Sequence, residues 1–177
     1  WDVSSHTAVV SLDAHQDCIW GIKSTGPDTF VTASEDRTVA VWDKRHHSLV
    51  KRIHNKEAHE RESARALSVA VGGGYIYVGS DDCKIRVFDQ HNFEHVTTLT
   101  GHHWEVWQLG FSEGYLFSGS FDHTVRVWEQ KTWTCVKTLA GHNGYIHALT
   151  IDKGTLFTGS GDKSIKLWRS DDLYSNF

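Results

Sequence analysis

The pattern of apolar and polar positions along the chain is that of short β-strands. Between residues 115 and 128 (YLFSGSFDHTVRVW), aromatic and β-branched residues fill two arms on either side of a turn at Phe121-Asp122-His123. This composition favours strands joined in a tight hairpin. The same pattern recurs in three other stretches, which end at Trp42, Phe88 and Trp168. A stretch that recurs at a nearly fixed interval indicates a repeat architecture.

The strand signals fall into four units. Phe88 follows Trp42 by 46 residues, and Trp128 and Trp168 follow at intervals of 40 residues each. A period of about 40 to 45 residues with four short strands per unit is typical of propeller blades. The predicted units span residues 14–53, 58–99, 101–139 and 141–177, after an initial segment 1–12. No helix is predicted in any of them.

Two regions at the ends of the chain deviate from this regular pattern. Thr7–Leu12 (TAVVSL) is predicted to be a lone strand ahead of the first unit. In the fourth unit no outer strand is evident after Trp168, so residues 170–177 are either its beginning or a disordered end. Because the chain has no Met and its first residue already lies inside a repeat, we expect it to be a fragment of a longer protein.

Composition narrows the classes of partner. The net charge of −4 argues against nucleic acid, which requires clustered positive charge. No run of about 18 apolar residues is present, so no membrane span is predicted. The three cysteines lie far apart, which excludes a disulfide framework or a CxxC metal site. A reducing compartment is therefore expected, the cytoplasm or alternatively the nucleus.

The paired signatures at this period carry a resemblance to a known family. Gly101-His102 and Gly141-His142 open two units, and Trp42-Asp43 closes a third strand. These residues resemble the WD-repeat (Trp-Asp, G-beta-like) β-propeller family over nearly the whole chain. The resemblance implies an all-β fold with four blades of four antiparallel strands, as part of a seven- or eight-bladed ring. The repeats also look similar to those of myosin heavy chain kinases and of some RING-type ubiquitin ligases.

The resemblance gives a role to Thr7–Leu12. In that family each repeat begins with the outer strand of one blade and continues into the next blade. Thr7–Leu12 would then belong to a blade that precedes the chain, or it would pair beside Lys163–Trp168 and close a ring.

The resemblance further implies a hydrogen-bonded tetrad of His, Ser or Thr, Asp and Trp inside each blade. The three matching sets are His15, Thr32, Asp36 and Trp42; His102, Ser118, Asp122 and Trp128; and His142, Thr158, Asp162 and Trp168. The second unit departs from the pattern, because Val78 and Phe88 accompany His59 and Asp82. The donor and acceptor capacities of these side chains independently suit a buried hydrogen-bonded chain.

Repeated Ser, His and Asp also invite two chemical interpretations, and we reject both. A catalytic triad requires one site, whereas this set recurs in every intact unit. The thirteen histidines include the adjacent pairs His46-His47 and His102-His103, whose side chains point to opposite faces of a strand. We therefore predict no catalytic residue and no metal. No glycine-rich phosphate loop precedes a helix, so no cofactor is predicted either.

Partner contacts in this family concentrate on the top face, which the loops before the inner strands and the turns after the second strands build. The position five residues after the unit's opening histidine gives Trp20, Trp107 and His147, with Arg65 as the counterpart in the second unit if one extra residue is counted. Neighbouring positions add further residues. The predicted partner-binding residues are Trp20, Glu35, Arg65, Asp81, Glu105, Trp107, Phe121, Tyr145 and His147. Aromatic and Arg side chains dominate binding hot spots.

An alternative is that Trp20 and Trp107 fill a central channel by packing against each other. Trp104 and Trp133 fall in loops and are interpreted as covers of blade edges.

Two functions from different classes follow. The first is a non-enzymatic scaffold that presents the top face to protein or peptide partners. The second is a self-assembly module in which two four-bladed chains, as a homodimer, complete one ring, because four blades are too few for the family and would leave two sheet faces exposed. A third possibility is that the missing blades lie in the parent protein. A catalytic domain attached there would not change any residue of this chain.

Overall fold

The computed structural model describes Ser4, Thr7, residues 9–57 and residues 62–169. These residues form fifteen strands in four antiparallel sheets. No helix forms in the part of the chain that the structure describes, so no helix long and apolar enough to cross a membrane is found there. Each sheet is one blade, and its strands follow one another in chain order.

The first two blades have four strands each. Blade one consists of β1 (Ile19–Ser24), β2 (Thr29–Ser34), β3 (Thr38–Asp43) and β4 (Ser48–His54). Blade two consists of β5 (Ala66–Gly72), β6 (Tyr75–Ser80), β7 (Ile85–Asp89) and β8 (His95–Leu99). In both blades the first strand is the innermost and the fourth is the outermost, because the inner strands β1 and β5 pack against each other.

The last two blades repeat this order. Blade three consists of β9 (Val106–Ser112), β10 (Tyr115–Ser120), β11 (Val125–Glu129) and β12 (Thr134–Leu139). Blade four consists of β13 (Ile146–Asp152), β14 (Thr155–Ser160) and β15 (Ile165–Trp168). Its expected fourth strand falls on residues 170–177, which lie outside the described residues. The all-β architecture that the pattern predicted is therefore confirmed.

The predicted lone strand Thr7–Leu12 is wrong for the residues that the structure describes. Thr7 makes a single bridge, and residues 9–12 have no strand conformation. In blade one, β4 already occupies the outer side of β3, so that blade offers residues 9–12 no free edge there. Trp1-Asp2 lies outside the described residues.

The turn between the second and third strand has the same geometry in all four blades. Arg37, Cys83, His123 and Lys163 adopt positive φ angles of 68–70° at equivalent positions. The preceding aspartate stabilises this conformation, as Asp36 shows by accepting hydrogen bonds from the backbone N–H and the hydroxyl of Thr38 at 2.9 and 2.6 Å. Asp side chains readily make such local bonds to the backbone. The repeated Ser-x-Asp sequence thus determines where each hairpin turns.

The connection from blade one to blade two is longer than the others, and Asn55 closes its base. Asn55 is fully buried. Its Nδ2 donates to the carbonyl oxygen of Ala64 at 3.0 Å and to Ser80 Oγ at 2.8 Å, while the Ala64 N–H donates to the Asn55 carbonyl oxygen at 2.9 Å. Both ends of this loop are therefore fixed to each other and to blade two.

The hydrophobic core lies in three layers, each between two successive blades. Alternate residues of a strand face opposite neighbours. In blade three, Leu116 and Trp128 pack toward blade two, whereas Phe117 and Val127 pack toward blade four. Burial of these apolar faces is the main force that holds the blades side by side.

The outer face of blade four has the composition of a core layer but no covering sheet among the described residues. Ile165 and Leu167 occupy the positions that Val125 and Val127 occupy in blade three, yet their side chains are 73% and 61% exposed. Val125 and Val127 are buried because blade four covers them. The same residue types at the same register therefore have opposite environments.

Candidate functional site

The three predicted tetrads form closed hydrogen-bonded sets. In blade three, Trp128 Nε1 donates to Ser118 Oγ at 2.8 Å, and Ser118 Oγ pairs with His102 Nε2 at 2.7 Å. His102 Nδ1 then lies 2.7 Å from the Asp122 carboxylate. The equivalent distances in blades one and four are 2.7 to 3.0 Å. The participating side chains are His15, Thr32, Asp36, Trp42, His142, Thr158, Asp162 and Trp168.

Each tetrad has one consistent direction of donation. The Trp N–H donates to the hydroxyl, the hydroxyl can then donate to His Nε2, and His Nδ1–H can donate to the carboxylate. The aspartates are ionised. Burial alone would raise the pKa of Asp36, but hydrogen bonds from Thr38, the Gln16 N–H and His15 lower it to about 2. Similar bonds from His102 and Thr124 outweigh burial and hold the pKa of Asp122 well below its usual range. With every polar group engaged, the tetrads act as structural supports.

Blade two replaces the tetrad with an ion pair. Val78 and Phe88 supply no polar group, and Arg86 on β7 binds Asp82 through both guanidinium NH₂ groups, with contacts of 2.6 and 3.2 Å. The Arg86 side chain is 1% exposed, and that of Asp82 is 30% exposed. The predicted tetrad residue His59 lies outside the described residues. Val78 and Phe88 at the positions of the tetrad hydroxyl and Trp indicated that blade two lacks a tetrad. The sequence analysis did not identify Arg86 as the residue that binds Asp82 instead.

The aromatic residues predicted for the top face form one contiguous strip. Trp20 and Trp107 meet edge to face with ring centroids 5.3 Å apart, Trp107 stacks on Phe121 at 5.2 Å, and Phe121 stacks on Tyr145 at 4.3 Å. His147 contacts Phe121 at 5.5 Å. The contact between Trp20 and Trp107 matches the channel-filling alternative, but Trp20 remains 47% exposed. The strip therefore fills the middle of the face and still presents an aromatic surface.

An ionic cluster continues the strip toward blade two. Glu35 accepts a hydrogen bond from Trp20 Nε1 at 3.3 Å and another from Arg65 at 2.8 Å. Arg65 also contacts Asp81, with Nε 3.2 Å from Oδ2. Arg65 thus bridges the turns of blades one and two. The structure brings all of these predicted residues together on one surface, which we call the top face.

The position assigned to Arg65 from sequence is wrong, because strand register gives a different counterpart of Trp20. Ile19 pairs with Ser34, and Ala66 pairs with Ser80, so Leu67 corresponds to Trp20. The segment between His59 and the inner strand of blade two has three extra residues rather than one. Arg65 reaches the top face through its long side chain.

Glu105 and Trp107 each bury a polar atom that has no hydrogen-bond partner, Oε2 and Nε1 respectively. Glu105 lies among carboxylates around the turn of blade two. Burial, followed by the charges of Glu105, Asp82, Asp122 and Asp81, raises the pKa of the Cys83 thiol. A thiol in this environment stays protonated at neutral pH and is a poor nucleophile.

One group of side chains could in principle hold a metal ion. Asp17, Cys18 and Glu35 each bring a ligand atom within 4.8 Å of the others among the described residues. Glu35, however, already accepts hydrogen bonds from Arg65 and Trp20 with its two oxygens. Asp17 Oδ1 accepts the Cys18 N–H at 2.8 Å. We assign no metal to this group.

A cleft of about 510 Å³ lies at the edge of the top face on blade three. We call it the Trp104 cleft. Its lining consists of His103, Trp104, Phe121, Asp122, His123, Thr124, Arg126 and Tyr145. Trp104 is 56% exposed and does not cover a blade edge, contrary to the sequence interpretation, whereas Trp133 does pack on Tyr75 at 5.1 Å. Trp104 stands at the position that Asp17 and Gly144 occupy in blades one and four. An aromatic residue at a position where the other blades have none was the sequence signal for this cleft.

Sequence relatives match parts of the chain. Myosin heavy chain kinase C of Dictyostelium discoideum is 30% identical over 104 residues, which is 58% of this chain and 12% of that protein. The Culex quinquefasciatus ribosome biogenesis protein WDR12 homolog is 29% identical over 86 residues, covering 49% of this chain and 19% of that protein. The Gallus gallus U3 small nucleolar RNA-associated protein 15 homolog is 38% identical over 86 residues, covering 44% and 16%. The chain thus spans less than a fifth of each of these relatives.

Solved structures share the fold. The WD40 repeats of RRP9 superpose with a TM-score of 0.79 at 23% identity, covering 89% of this chain and 53% of that chain. The computationally designed Ika4 protein superposes with a TM-score of 0.76 at 23% identity, covering 92% and 98%. At this identity the likeness shows the fold alone.

The family model for the WD domain, G-beta repeat, matches residues 5–43, 50–89, 93–129 and 133–169. These four matches together include every strand of the four blades except the first two residues of β4. The relatives differ among themselves, so the subgroup within the family stays unresolved. Four matched repeats, four antiparallel sheets and three complete tetrads show that this chain belongs to the WD-repeat β-propeller family.

Proposed function

We propose that this chain is a non-enzymatic scaffold whose top face binds protein or peptide partners. The observation that carries the proposal is the contiguous strip from Trp20 through Trp107 and Phe121 to Tyr145, with Trp20 exposed at its end. Aromatic side chains grouped at the centre of a face, with charged residues at its rim, are typical of protein-binding hot spots.

The chemistry of the face supports a protein partner over other classes. Glu35, Asp81 and Glu105 give the face acidic character, which disfavours nucleic acid. The His-Asp pairs that resemble catalytic dyads are engaged within the tetrads. WD-repeat proteins generally act by binding other proteins, and named relatives include a ribosome biogenesis protein and an RNA-associated protein. The cytoplasm or nucleus is the proposed location, and three free cysteines support a reducing compartment.

Replacing Trp20 by alanine is expected to weaken binding of peptides to the top face by about 10- to 30-fold. The probes are 12-residue peptides selected from a displayed random library on the immobilised wild-type chain, then synthesised with a fluorescent label. Their dissociation constants are measured by fluorescence polarisation. Trp20 lies at an exposed end of the strip, so its removal takes away contact area with little loss of core packing.

The matched control is Val96→Ala, an exposed position on the outer strand of blade two away from the top face. It should leave the dissociation constants unchanged. Trp107→Ala provides a second variant in the middle of the strip. If every selected peptide binds Trp20→Ala and Trp107→Ala as tightly as wild type, the proposed surface is wrong.

The exposed outer face of blade four favours a second candidate function, self-assembly into a complete ring. Ile165 and Leu167 repeat a core position of blade three without a covering sheet among the described residues. The outward edge of β15 also has no neighbouring strand there. A second copy of the chain could cover this face.

Light scattering across a dilution series tests this candidate. Self-assembly predicts a dimer near twice the 20.0 kDa chain mass, and Ile165→Lys should convert it to a monomer. A charge on a buried apolar face opposes association, because its desolvation is not compensated. Lys137→Glu on β12, away from blade four's outer face, serves as the control for a change of charge. A monodisperse monomer of the wild type at every concentration rules self-assembly out.

A further inference from the structure

Arg126 on β11 and Arg86 on β7 occupy the same position in successive blades. Arg126 pairs with Ser118 of the preceding strand, and Arg86 pairs with Val78 at the same register. Arg86 binds the turn aspartate of its own blade. Arg126 makes no ion pair with any carboxylate in the described ranges. Its NH1 lies 3.6 Å from Cys135 Sγ, and its Cζ lies over the Trp128 ring, 6.0 Å from the centroid. Its Nε is buried without a hydrogen-bond partner.

The reason for this difference is that Asp122 is already saturated. Its Oδ2 accepts from His102 Nδ1 at 2.7 Å and from the His103 N–H at 3.1 Å. Its Oδ1 accepts from the N–H and hydroxyl of Thr124 at 3.0 and 2.6 Å. Because four donors already bind this carboxylate, Asp122 is not available to Arg126. In blade two the equivalent aspartate, Asp82, binds Arg86.

The Arg126 guanidinium, which has no carboxylate partner among the described residues, lines the Trp104 cleft. The cleft volume of about 510 Å³ is within the usual range for a ligand site. Three aromatic side chains line it, with Trp104 exposed on one side and Phe121 stacked on Tyr145 in another wall. His103 and His123 add further donors at the rim. A partly buried cation between aromatic walls, with no carboxylate partner among the described residues, suits an oxyanion on an extended side chain.

We propose that the Trp104 cleft binds a carboxylate side chain, aspartate or glutamate, of a peptide partner, with Arg126 as its cation. This inference rests on the proposed function, since it specifies which residue the partner inserts beside the aromatic strip. Charge complementarity favours a carboxylate over a phosphate, because Asp122 stays ionised in the same cleft and repels a dianion more strongly than a monoanion. A single guanidinium fork also matches one carboxylate.

The test uses the peptides selected on the wild-type chain, each synthesised in three forms. One form keeps the acidic residue, one carries the matching amide, and one carries phosphoserine in its place. We expect selected peptides to share an acidic residue, and the amide form to bind wild type about tenfold more weakly, in line with a lost charge-assisted pair. In the Arg126→Gln variant the acidic and amide forms should bind equally. Arg126→Lys should recover part of the difference.

Lys166→Gln is the matched control, because Lys166 has the same strand position in blade four and does not line the cleft. It should leave the preference for the acidic form unchanged. Trp104→Ala should weaken all forms by a similar factor. Thermal unfolding of Arg126→Gln checks that the variant is folded, and Arg126→Lys supplies the binding comparison if it is not.

Four outcomes overturn the inference, and the first two separate it from the proposed function. Peptides that lose affinity on Trp20→Ala but not on Arg126→Gln contradict the carboxylate site and leave the top face standing. A phosphoserine form that binds more than tenfold more tightly than the acidic form would show that the cleft binds a phosphate rather than a carboxylate. Selected peptides insensitive to both Trp20→Ala and Arg126→Gln, or a library that yields no binder, contradict both proposals.

Discussion

Replacing Arg86 by alanine is expected to lower the free energy of unfolding by about 3 kcal/mol, the lower part of the range for breaking a buried ion pair. Arg86 is almost fully buried, and it neutralises Asp82 from within blade two. Its removal leaves the carboxylate without its cation and a void among the strands. Because the Asp82 side chain retains partial contact with water, the cost does not reach the upper part of that range.

Urea unfolding at neutral pH, followed by tryptophan fluorescence, measures this change. Lys166→Ala removes a cation from the same strand position in blade four, where no carboxylate partner is described, and should change stability by less than about 0.5 kcal/mol. The double variant Arg86→Ala/Asp82→Ala should be less destabilised than the sum of the two single variants. Equal stability of Arg86→Ala and Lys166→Ala would show that the pair does not support blade two.

Replacing Ser118 by valine is expected to cost about 2 to 3 kcal/mol, because it leaves two buried polar groups unpaired. The Ser118 hydroxyl accepts the Trp128 Nε1–H at 2.8 Å and pairs with His102 Nε2 at 2.7 Å. Both rings are buried, so water does not replace the lost partner. Shape is not the cause of the loss, since Val78 stands at the same register in blade two.

A double-mutant cycle with Trp128→Phe isolates the hydrogen bond. Phenylalanine carries no N–H, so Trp128→Phe should cost less in the Ser118→Val background than in the wild type, by about 1 kcal/mol. Thr100→Val, an exposed hydroxyl outside any strand, is the control and should be neutral. Strictly additive effects of Ser118→Val and Trp128→Phe would mean that the tetrad contributes through packing alone.

The residues that sequence placed correctly are those that act within one repeat. The tetrad of blade three spans positions 102 to 128, and its Ser, Asp and Trp have fixed spacings set by one hairpin. Local turn chemistry fixes where the hairpin reverses, and strand register then brings the three side chains together. A pattern repeated in register therefore predicted both the blades and their internal polar chain.

The features that sequence missed depend on contacts between repeats or on small changes of length. Arg65 was assigned the wrong counterpart because residue counting does not reveal how a longer loop rejoins its strand. Arg86 and Arg126 have the same sequence position, and only the occupancy of the nearby aspartate distinguishes a paired cation from a spare one. Residues 9–12 lie in a stretch with strand-like composition but form no strand, because composition does not reveal which strand edges are free.

The connection between blades one and two is a suitable position for inserting new peptide sequence, because Asn55 closes it at its base. The hydrogen bonds between Asn55 and Ala64 close the loop at its base, so the separation of the flanking strands does not depend on how many residues lie between them. Lengthening a loop whose ends are already fixed costs little, since the entropy of closure rises only slowly with length. A grafted affinity tag or reporter sequence between positions 56 and 63 would leave the blades in register and would be displayed beside the surface that Arg65 and Glu35 form.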